Sequence, residues 1–249
     1  MATLRLLSYN IRYGGTGHEH ALAGVVRAAD ADVVMLQEAT DPRVVRRIAE
    51  MVGYPHWGAR AGHSTGFLSR LPVASHAWHR PWGSRHPFLE VALVDPAWRI
   101  FGLHLAAWFS KWVERRRARE IRALLDGIAG RQHGFHLICG DFNALAPGEA
   151  LEVARMPRWI QAMIWMSGRD IARDTIQVML DEQYADAWRR LNPGDPGYSF
   201  PTWDPHVRLD YVFAPEREAG RLKAMRVVSD APQAADASDH FPLLVEVER

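Results

Sequence analysis

The chain has 249 residues, of which 48% are hydrophobic, and its 30 Lys and Arg side chains nearly balance 29 Asp and Glu side chains at a formal charge of +1. This composition is ample for a core and excludes a whole-protein electrostatic attraction to nucleic acid. The single cysteine, Cys139, excludes an intramolecular disulfide framework, and no apolar run approaches the ~20 residues of a membrane span. We expect one soluble, cytoplasmic domain over residues 1–249, with Cys139 as a packed core thiol.

Strand and helix patterns alternate in the first third of the chain. The patterns predict a strand over 4–11, a helix over 19–30 and a strand over 31–39. A second helix follows, because Asp41 is a favourable N-cap, Pro42 suits the first helical position and Gly53 suits the C-terminal stop.

The middle and the end of the chain are rich in strand patterns. Predicted strands cover residues 65–70, 87–94, 98–106, 135–140, 207–214, 223–230 and 242–248. Ser110 caps a predicted helix that reaches about Gly130. Helices in both halves and strands toward both termini favour two sheets packed face to face with helices outside.

Residues 148–192 form a long stretch of helical pattern, rich in Met and Trp. Met and Trp at helical spacing favour helices that pack on the outer layer. The alternative is a lid or a substrate wall over residues 150–182, for which the candidate side chains are Trp159, Met163, Trp165 and Met166.

Two shorter segments also have two interpretations each. The segment ERRRARE, residues 114–120, resembles a nucleic-acid patch, but its flanking glutamates favour an ordinary solvated helix face. In YSFPTWDP, residues 198–205, Trp203 either stacks on a substrate or belongs to a structural hairpin loop.

Polar residues recur where the predicted strands end. Asp141 and Asn143 follow the apolar run FHLICG, and alternation along an extended chain would place both on one side, where they could orient one water or one cation. Similar positions near strand ends are occupied by Asn10, Glu38, His104, Asp210, Asp239 and His240. Buried carboxylates are costly unless they are paired or bind metal, so we expect a shared pocket.

The ligand types of this pocket indicate a hard cation. Carboxylate and amide oxygens suit Mg²⁺ or Mn²⁺, whereas the Cys and His spacing of a zinc site is absent from the sequence.

The motifs SYNI, LQE, GLHL, GDFNA, LDYVF and SDHFPL occur in this order over about residues 4 to 247. The series resembles the endonuclease/exonuclease/phosphatase family, which includes deoxyribonuclease I-like nucleases and sphingomyelinases. The resemblance implies an α/β fold, namely a four-layer α/β/β/α sandwich of two packed mixed sheets flanked by helices. It also implies a metal-dependent phosphoesterase site at one edge of the paired sheets.

The resemblance assigns the metal to Glu38 as the main ligand, with Asn10 and Asp239 as helpers. It makes Mg²⁺ the expected cofactor, with Mn²⁺ as a substitute.

The remaining site residues receive catalytic roles from the same resemblance. Asp141 matches the residue that orients or deprotonates the attacking water, and Asn143 beside it binds phosphate or water. His240 matches a phosphate-contacting histidine that is held by Asp210. His104 matches the second histidine of the deoxyribonuclease and sphingomyelinase branches.

We therefore expect a Mg²⁺-dependent phosphoester hydrolase, first of all a phosphodiesterase or nuclease that uses metal-assisted attack of water on phosphorus. Its partner would be a phosphoester substrate, which includes nucleic acid, and no obligatory protein partner is evident from the sequence. A small-molecule or lipid-headgroup phosphatase or phosphodiesterase is the alternative, and a non-catalytic binding module on the same fold is a further one.

Overall fold

The computed structural model describes residues 2–108, 110–132, 134–149, 151–166 and 171–249. The strands in these ranges are β1 (Thr3–Asn10), β2 (Val33–Gln37), β3 (His56–Ala59), β4 (Thr65–Ser69), β5 (Val73–His79), β6 (Phe88–Leu93), β7 (Arg99–His104), β8 (His136–Asp141), β9 (Tyr184–Asp186), β10 (Asp210–Pro215), β11 (Leu222–Val227) and β12 (Leu243–Glu248). The α-helices there are α1 (Glu19–Ala29), α2 (Pro42–Val52), α3 (Lys111–Ile128), α4 (Arg158–Met166), α5 (Asp174–Asp181), α6 (Ala187–Leu191) and α7 (Ala234–Ala237).

The strands of the described ranges form two six-stranded sheets. The first has the order β11-β12-β1-β2-β4-β3, and the second has the order β5-β6-β7-β8-β10-β9. Each sheet contains one parallel pair, β1 with β2 and β7 with β8. The other neighbouring strands are antiparallel. Both sheets are therefore mixed, as predicted.

The main core lies between the two sheets. Met35 of the first sheet packs so closely against Gly102 of the second that a Cβ at Gly102 would lie 2.5 Å from the Met35 Cε. Cys139 is buried in this core, as predicted, and burial raises the pKa of its thiol to about 12.

Helices cover the outer faces of both sheets. Helices α1 and α2 pack on the first sheet, and α3 and α5 pack on the second. The predicted four-layer α/β/β/α sandwich is confirmed. Within the described part of the chain, no helix is both long and apolar enough to cross a bilayer.

Local signals set the ends of the predicted helices. The Asp41 side chain accepts a hydrogen bond from the Arg43 amide, and Gly53 ends α2 in the left-handed region at φ 73°. Ser110 accepts from the Val113 amide at the start of α3. The patterns missed β3, β5 and β9, because these strands are short or lie at a sheet edge and lack a long apolar run.

Within its described residues, the stretch 148–192 is less helical than its pattern predicts. It contains the short helices α4, α5 and α6, and the strand β9 separates the last two. Ile176 and Met179 of α5 are buried against α3, which agrees with outer packing. The side chains of Met163 and Met166, with Ala150 and residues 167–170, lie outside the described residues.

The segment 114–120 is not the solvated face that its glutamates suggested. Glu114, Arg117 and Glu120 are each at most 3% exposed. Glu114 binds Arg117, and Glu120 binds Arg116 and His86. The glutamates therefore form internal pairs, and within this segment Arg115 and Arg119 are the exposed residues.

Candidate active site

Two polar residues end neighbouring strands of the first sheet. Asn10 is the last residue of β1, and Glu38 follows β2 directly, where the chain enters the left-handed region at φ 57°. The parallel register places Asn10 opposite Gln37, one residue before Glu38. The Asn10 Nδ2 donates to Glu38 Oε1 at 3.3 Å, so the two side chains meet at this sheet edge.

Three further residues meet in the second sheet through strand register. Asp141 ends β8, His104 ends β7 and Asp210 begins β10. Asp141 is paired with His104 on one side and with Asp210 on the other. Neighbouring strands of a sheet lie about 4.7–4.9 Å apart, so the side chains of these three paired residues are neighbours.

Gly140 is the residue that allows β8 to approach β7 at this point. Its φ is 142°, and a Cβ there would lie 2.0 Å from the Leu103 carbonyl oxygen. A side chain would push the two parallel strands apart and would move Asp141 away from His104. This explains the glycine of the GDFN motif.

Asn10 joins the two sheets. Its Nδ2 also donates to Asp141 Oδ2 at 3.0 Å, and both residues are 1% exposed. A hydrogen-bonded chain therefore runs from Glu38 through Asn10 to Asp141.

Asn143 lies beside Asp141 for a different reason from the predicted alternation. The strand ends at Asp141, and Asn143 adopts a left-handed conformation at φ 50°. Its amide N–H donates to Asp141 Oδ1 at 2.9 Å, and its Nδ2 donates to the Leu105 carbonyl at 3.0 Å. The side-chain amide nitrogen thus fixes the loop after β7, and the side-chain oxygen is the group left for a ligand.

His240 is held by Asp210. The imidazole Nδ1 donates to Asp210 Oδ2 at 2.8 Å, and the Ser199 hydroxyl donates to the same oxygen at 2.7 Å. The Nε2 atoms of His240 and His104 lie 3.9 and 3.8 Å from Asp141 Oδ2. These two distances are too long for hydrogen bonds, so both Nε2 atoms keep free hydrogen-bonding capacity beside the carboxylate.

Burial and neighbouring charges shift the pKa values of these groups. Burial lowers the pKa of His104 to about 4 and raises the pKa of Asp141 to about 7. Burial also lowers the pKa of His240, but the Asp210 carboxylate outweighs it, and the pKa rises to about 10. The two histidines on either side of Asp141 therefore differ in charge near pH 7.

Asp239 is attached to the same edge by its neighbour. The Ser238 hydroxyl donates to the Asn10 carbonyl at 2.7 Å, which fixes the SDH segment against the end of β1. The Arg12 Nε lies 3.4 Å from Asp239 Oδ2. The structure thus brings together all eight predicted site residues, which are Asn10, Glu38, His104, Asp141, Asn143, Asp210, Asp239 and His240.

Two sets of residues could hold a cation. The predicted set is Asn10, Glu38 and Asp239. Ligand atoms of Asp141, Asp210 and His240 also lie within 4.8 Å of one another. Asp210 Oδ2, however, already accepts from His240 and Ser199. The second set is therefore better described as a hydrogen-bonded unit. In the first set, Glu38 Oε2 accepts from the Tyr13 amide and Asn10 Oδ1 from the Arg12 amide, but the Glu38 and Asp239 carboxylates are partly exposed, so a cation can reach them from the solvent.

The loop 198–205 borders this site. The Phe200 ring lies 4.7 Å from the His240 ring, and the Thr202 amide donates to the Asp239 carbonyl at 3.0 Å. Phe200 forms an antiparallel bridge with Val207, which closes the loop as a hairpin, yet Trp203 is 69% exposed. Sequence reasoning missed Ser199 and Arg12, because a serine in a loop and an arginine after a strand are too common to indicate a role.

Comparison with known proteins agrees with this geometry. A family profile described as "Endonuclease/Exonuclease/phosphatase family" matches residues 7–240. A search of curated proteins finds no match.

Solved structures with low sequence identity share the fold over nearly the whole chain. The 3′ phosphatase NExo from Neisseria, bound to a product DNA hairpin, is 17% identical with a TM-score of 0.74, over 99% of this chain and 100% of that one. An AP endonuclease from Archaeoglobus fulgidus is 16% identical with a TM-score of 0.71, over 97% and 98%. D. rerio TDP2, complexed with a single-strand DNA product, is 16% identical with a TM-score of 0.69, over 100% of both chains.

Proposed function

The chain belongs to the endonuclease/exonuclease/phosphatase family of phosphoester hydrolases, and from that premise we propose that it is a Mg²⁺-dependent phosphodiesterase acting on nucleic acid. The observation that carries the proposal is the chain of contacts from Glu38 through Asn10 to Asp141, with one histidine on each side of Asp141. Two of the similar structures hold DNA products, which supports a nucleic-acid substrate.

The donor set at the end of the first sheet fits a magnesium ion. Glu38 and Asp239 are partly exposed carboxylates, and Asn10 positions Glu38 by donating its Nδ2 to Glu38 Oε1 at 3.3 Å. Oxygen ligands of this kind suit Mg²⁺, with Mn²⁺ as a substitute. When it is bound, the ion would supply Lewis acidity toward a phosphoryl oxygen.

Asp141 is the group that orients and deprotonates the attacking water. One carboxylate oxygen accepts from the Asn143 amide and the other from Asn10 Nδ2, so the carboxylate cannot rotate. A fixed carboxylate beside two uncommitted imidazole nitrogens is a suitable general base for a water that attacks phosphorus. The proton of the water passes to Asp141.

His240 stabilises the negative charge that develops on the phosphate. Asp210 and Ser199 fix the imidazole through Nδ1, which leaves Nε2 directed toward Asp141. A donor that is held in place before the reaction stabilises transition-state charge at no reorganisation cost. His104, on the neighbouring strand β7, would contact the same phosphate group through its free Nε2.

The test is Glu38→Gln, assayed with DNA, RNA, sphingomyelin, inositol phosphates and a small activated diester, with Mg²⁺, with Mn²⁺ and with EDTA. We expect the wild type to cleave nucleic acid only with a divalent metal, and Glu38→Gln to be folded but inactive. Glu50→Gln is the matched control, because Glu50 is an exposed member of a surface pair on α2.

Full turnover by folded Glu38→Gln would refute the assignment of the metal to Glu38. Cleavage of sphingomyelin or inositol phosphates alone would refute the nucleic-acid substrate but not the phosphoesterase chemistry. Activity that survives EDTA would refute metal dependence.

A further inference from the structure

Two tryptophan side chains form an exposed contact next to the active site. Trp108 and Trp159 are each 56% exposed, and their ring centroids are 5.3 Å apart at an interplanar angle of 60°. In such an edge-to-face pair, one ring presents its edge to the other, so broad ring faces remain open to solvent. An exposed apolar patch of this kind indicates a binding surface more often than a single exposed side chain does.

The position of Trp108 ties this pair to the reacting groups. Trp108 follows His104 by four residues, which limits its Cα to roughly 14 Å from the His104 Cα. Between them, the Leu105 amide donates to the Asp141 carbonyl at 2.9 Å, and the Leu105 carbonyl accepts from Asn143. The loop that carries Trp108 is thus bonded to the catalytic strand.

The same loop is held in an unusual conformation. Trp108 has a φ of 95°, which a bulky residue rarely adopts and which costs free energy. The Arg117 Nη1 donates to the Ala106 carbonyl at 2.7 Å and to the Trp108 carbonyl at 3.0 Å. Glu114 Oε2 accepts from Arg117 at 2.6 and 3.1 Å.

This ion pair, which we call the loop clamp, consists of Glu114 and Arg117, and neither residue is more than 2% exposed. Glu114 Oε1 also accepts from the Thr175 amide at 2.8 Å, which attaches α5 to the same clamp. Strained backbone persists only where the surroundings fix it, so the structure holds Trp108 in its exposed position rather than merely permitting it.

We propose that Trp108 and Trp159 form an aromatic wall that stacks on a nucleobase close to the phosphate that is cleaved. The proposal rests on the proposed function and extends it to a subsite that selects single-stranded nucleic acid with intact bases.

Openness and charge favour a nucleobase over an acyl chain. An acyl chain requires a closed apolar pocket, whereas each ring here is more than half open to water. A base offers a flat face to such a ring, and its backbone phosphate is attracted by nearby cations. Exposed Arg158 precedes Trp159, and exposed Arg115 lies on α3 near its start.

The test compares two single-stranded substrates of equal length, an oligothymidylate and an oligomer of abasic deoxyribose phosphates. Both carry the same phosphodiesters, but only the first carries rings. For Trp108→Ala and for Trp159→Ala we expect KM on the oligothymidylate to rise by about fivefold to 150-fold, with KM and kcat on the abasic oligomer unchanged. Trp159→Phe should restore most of the loss, because phenylalanine still stacks.

Trp82→Ala is the matched control. Trp82 is 98% exposed, but its neighbour Pro81 packs on Gly127 in the last turn of α3, whereas Trp108 lies near the first turn. The helix has 18 residues and is therefore about 27 Å long. We expect Trp82→Ala to behave like the wild type on both oligomers.

Equal losses on both oligomers for Trp159→Ala would overturn the proposal and indicate a structural role. Loss of binding to phosphatidylcholine vesicles with no change on either oligomer would also overturn it, in favour of a lipid contact. If Trp108→Ala does not fold, Trp159→Ala and Trp159→Phe decide. Cleavage of the abasic oligomer by the wild type supports the proposed function even where the wall fails. If the wild type cleaves neither oligomer, the wall proposal is overturned, and cleavage of other DNA or of RNA in the first assay still supports the proposed function.

Discussion

The proposed catalytic edge, where β1, β2, β7, β8 and β10 bring the site residues together, and the region of the aromatic wall, from the loop after β7 to α5, position their residues in different ways. At the edge, strand register sets the positions, since His104 and Asp210 face Asp141 from the two neighbouring strands. In the second region, the ring of Trp159 on α4 contacts the ring of Trp108 on the loop after β7. The buried loop clamp holds that loop through the Trp108 carbonyl. Strand register fixes the proposed reacting groups within the sheets. Loops and short helices, in contrast, can differ between related proteins without altering the sheets.

The largest effect should come from the catalytic edge itself. Asp141→Asn keeps the size of the side chain and one of its two accepting oxygens, but it removes the general base. We expect kcat to fall by about 10²–10⁴-fold with an unchanged circular dichroism spectrum. Asp181→Asn on exposed α5 is the control, and a folded Asp141→Asn enzyme with wild-type kcat would exclude Asp141 as the base.

A second prediction tests whether Asp210 and His240 act as one unit. Because the carboxylate holds the imidazole at 2.8 Å, removal of either group should cost about 10²–10³-fold in kcat. The double variant Asp210→Asn with His240→Ala should lose little more than the worse single variant. The measurement is kcat for the three variants, and multiplicative losses would show that the two residues contribute independently.

The catalytic edge could be predicted from the sequence to a large extent. Asn10 and Glu38 each end an apolar run on the parallel strands β1 and β2, whose ends meet at one sheet edge, so the pattern contains that part of the geometry. Asp141 also ends an apolar run, but it lies in the other sheet and approaches Asn10 because the two sheets pack face to face. The sequence pattern did not predict the left-handed turn at Asn143, because the prediction assumed that side chains alternate along an extended strand up to this residue. It also did not contain Ser199, because the contact with Asp210 depends on how a hairpin loop folds back.

The second region was much harder to predict. The charge pattern of 114–120 suggested solvated glutamates, but Glu114 and Arg117 are buried because the loop after β7 provides backbone carbonyls for Arg117. That partner lies outside the helix, so helical spacing cannot show it. The helical pattern of 148–192 likewise did not distinguish buried Ile164 from exposed Trp165, its neighbour on α4.

The loop clamp allows a third prediction, which connects the two regions. Arg117→Met leaves the buried Glu114 carboxylate without its cation and should cost about 3–5 kcal/mol in the free energy of unfolding. Replacing both residues, with Glu114→Gln and Arg117→Met, removes the unpaired charge and should restore much of that stability.

The double variant should nevertheless bind the oligothymidylate poorly, because the Ala106 and Trp108 carbonyls lose the Arg117 donor that holds the loop. We expect KM on the oligothymidylate to rise toward the value of Trp108→Ala, with a smaller change on the abasic oligomer. Urea unfolding and the two KM values are the measurements. A stable double variant with wild-type KM on the oligothymidylate would show that the clamp does not position the aromatic wall.

The smallest effect is expected for a substitution at Trp165 on α4. It tests whether this side chain belongs to the outer packing or to a lid over the site. Trp165 is 63% exposed, whereas Ile164 next to it is 3% exposed and faces the interior. Ile164→Ala should lower the free energy of unfolding by about 2–5 kcal/mol, because it leaves a cavity. Trp165→Ala should change that free energy by no more than about 0.5 kcal/mol, as is usual for surface positions.

Assays with a small activated diester and with a long single-stranded DNA then decide the role of Trp165. Selective loss on the long DNA would extend the wall along α4, equal activity on both would limit the wall to Trp108 and Trp159, and a large fall in the melting temperature would mean that Trp165 packs against the domain after all.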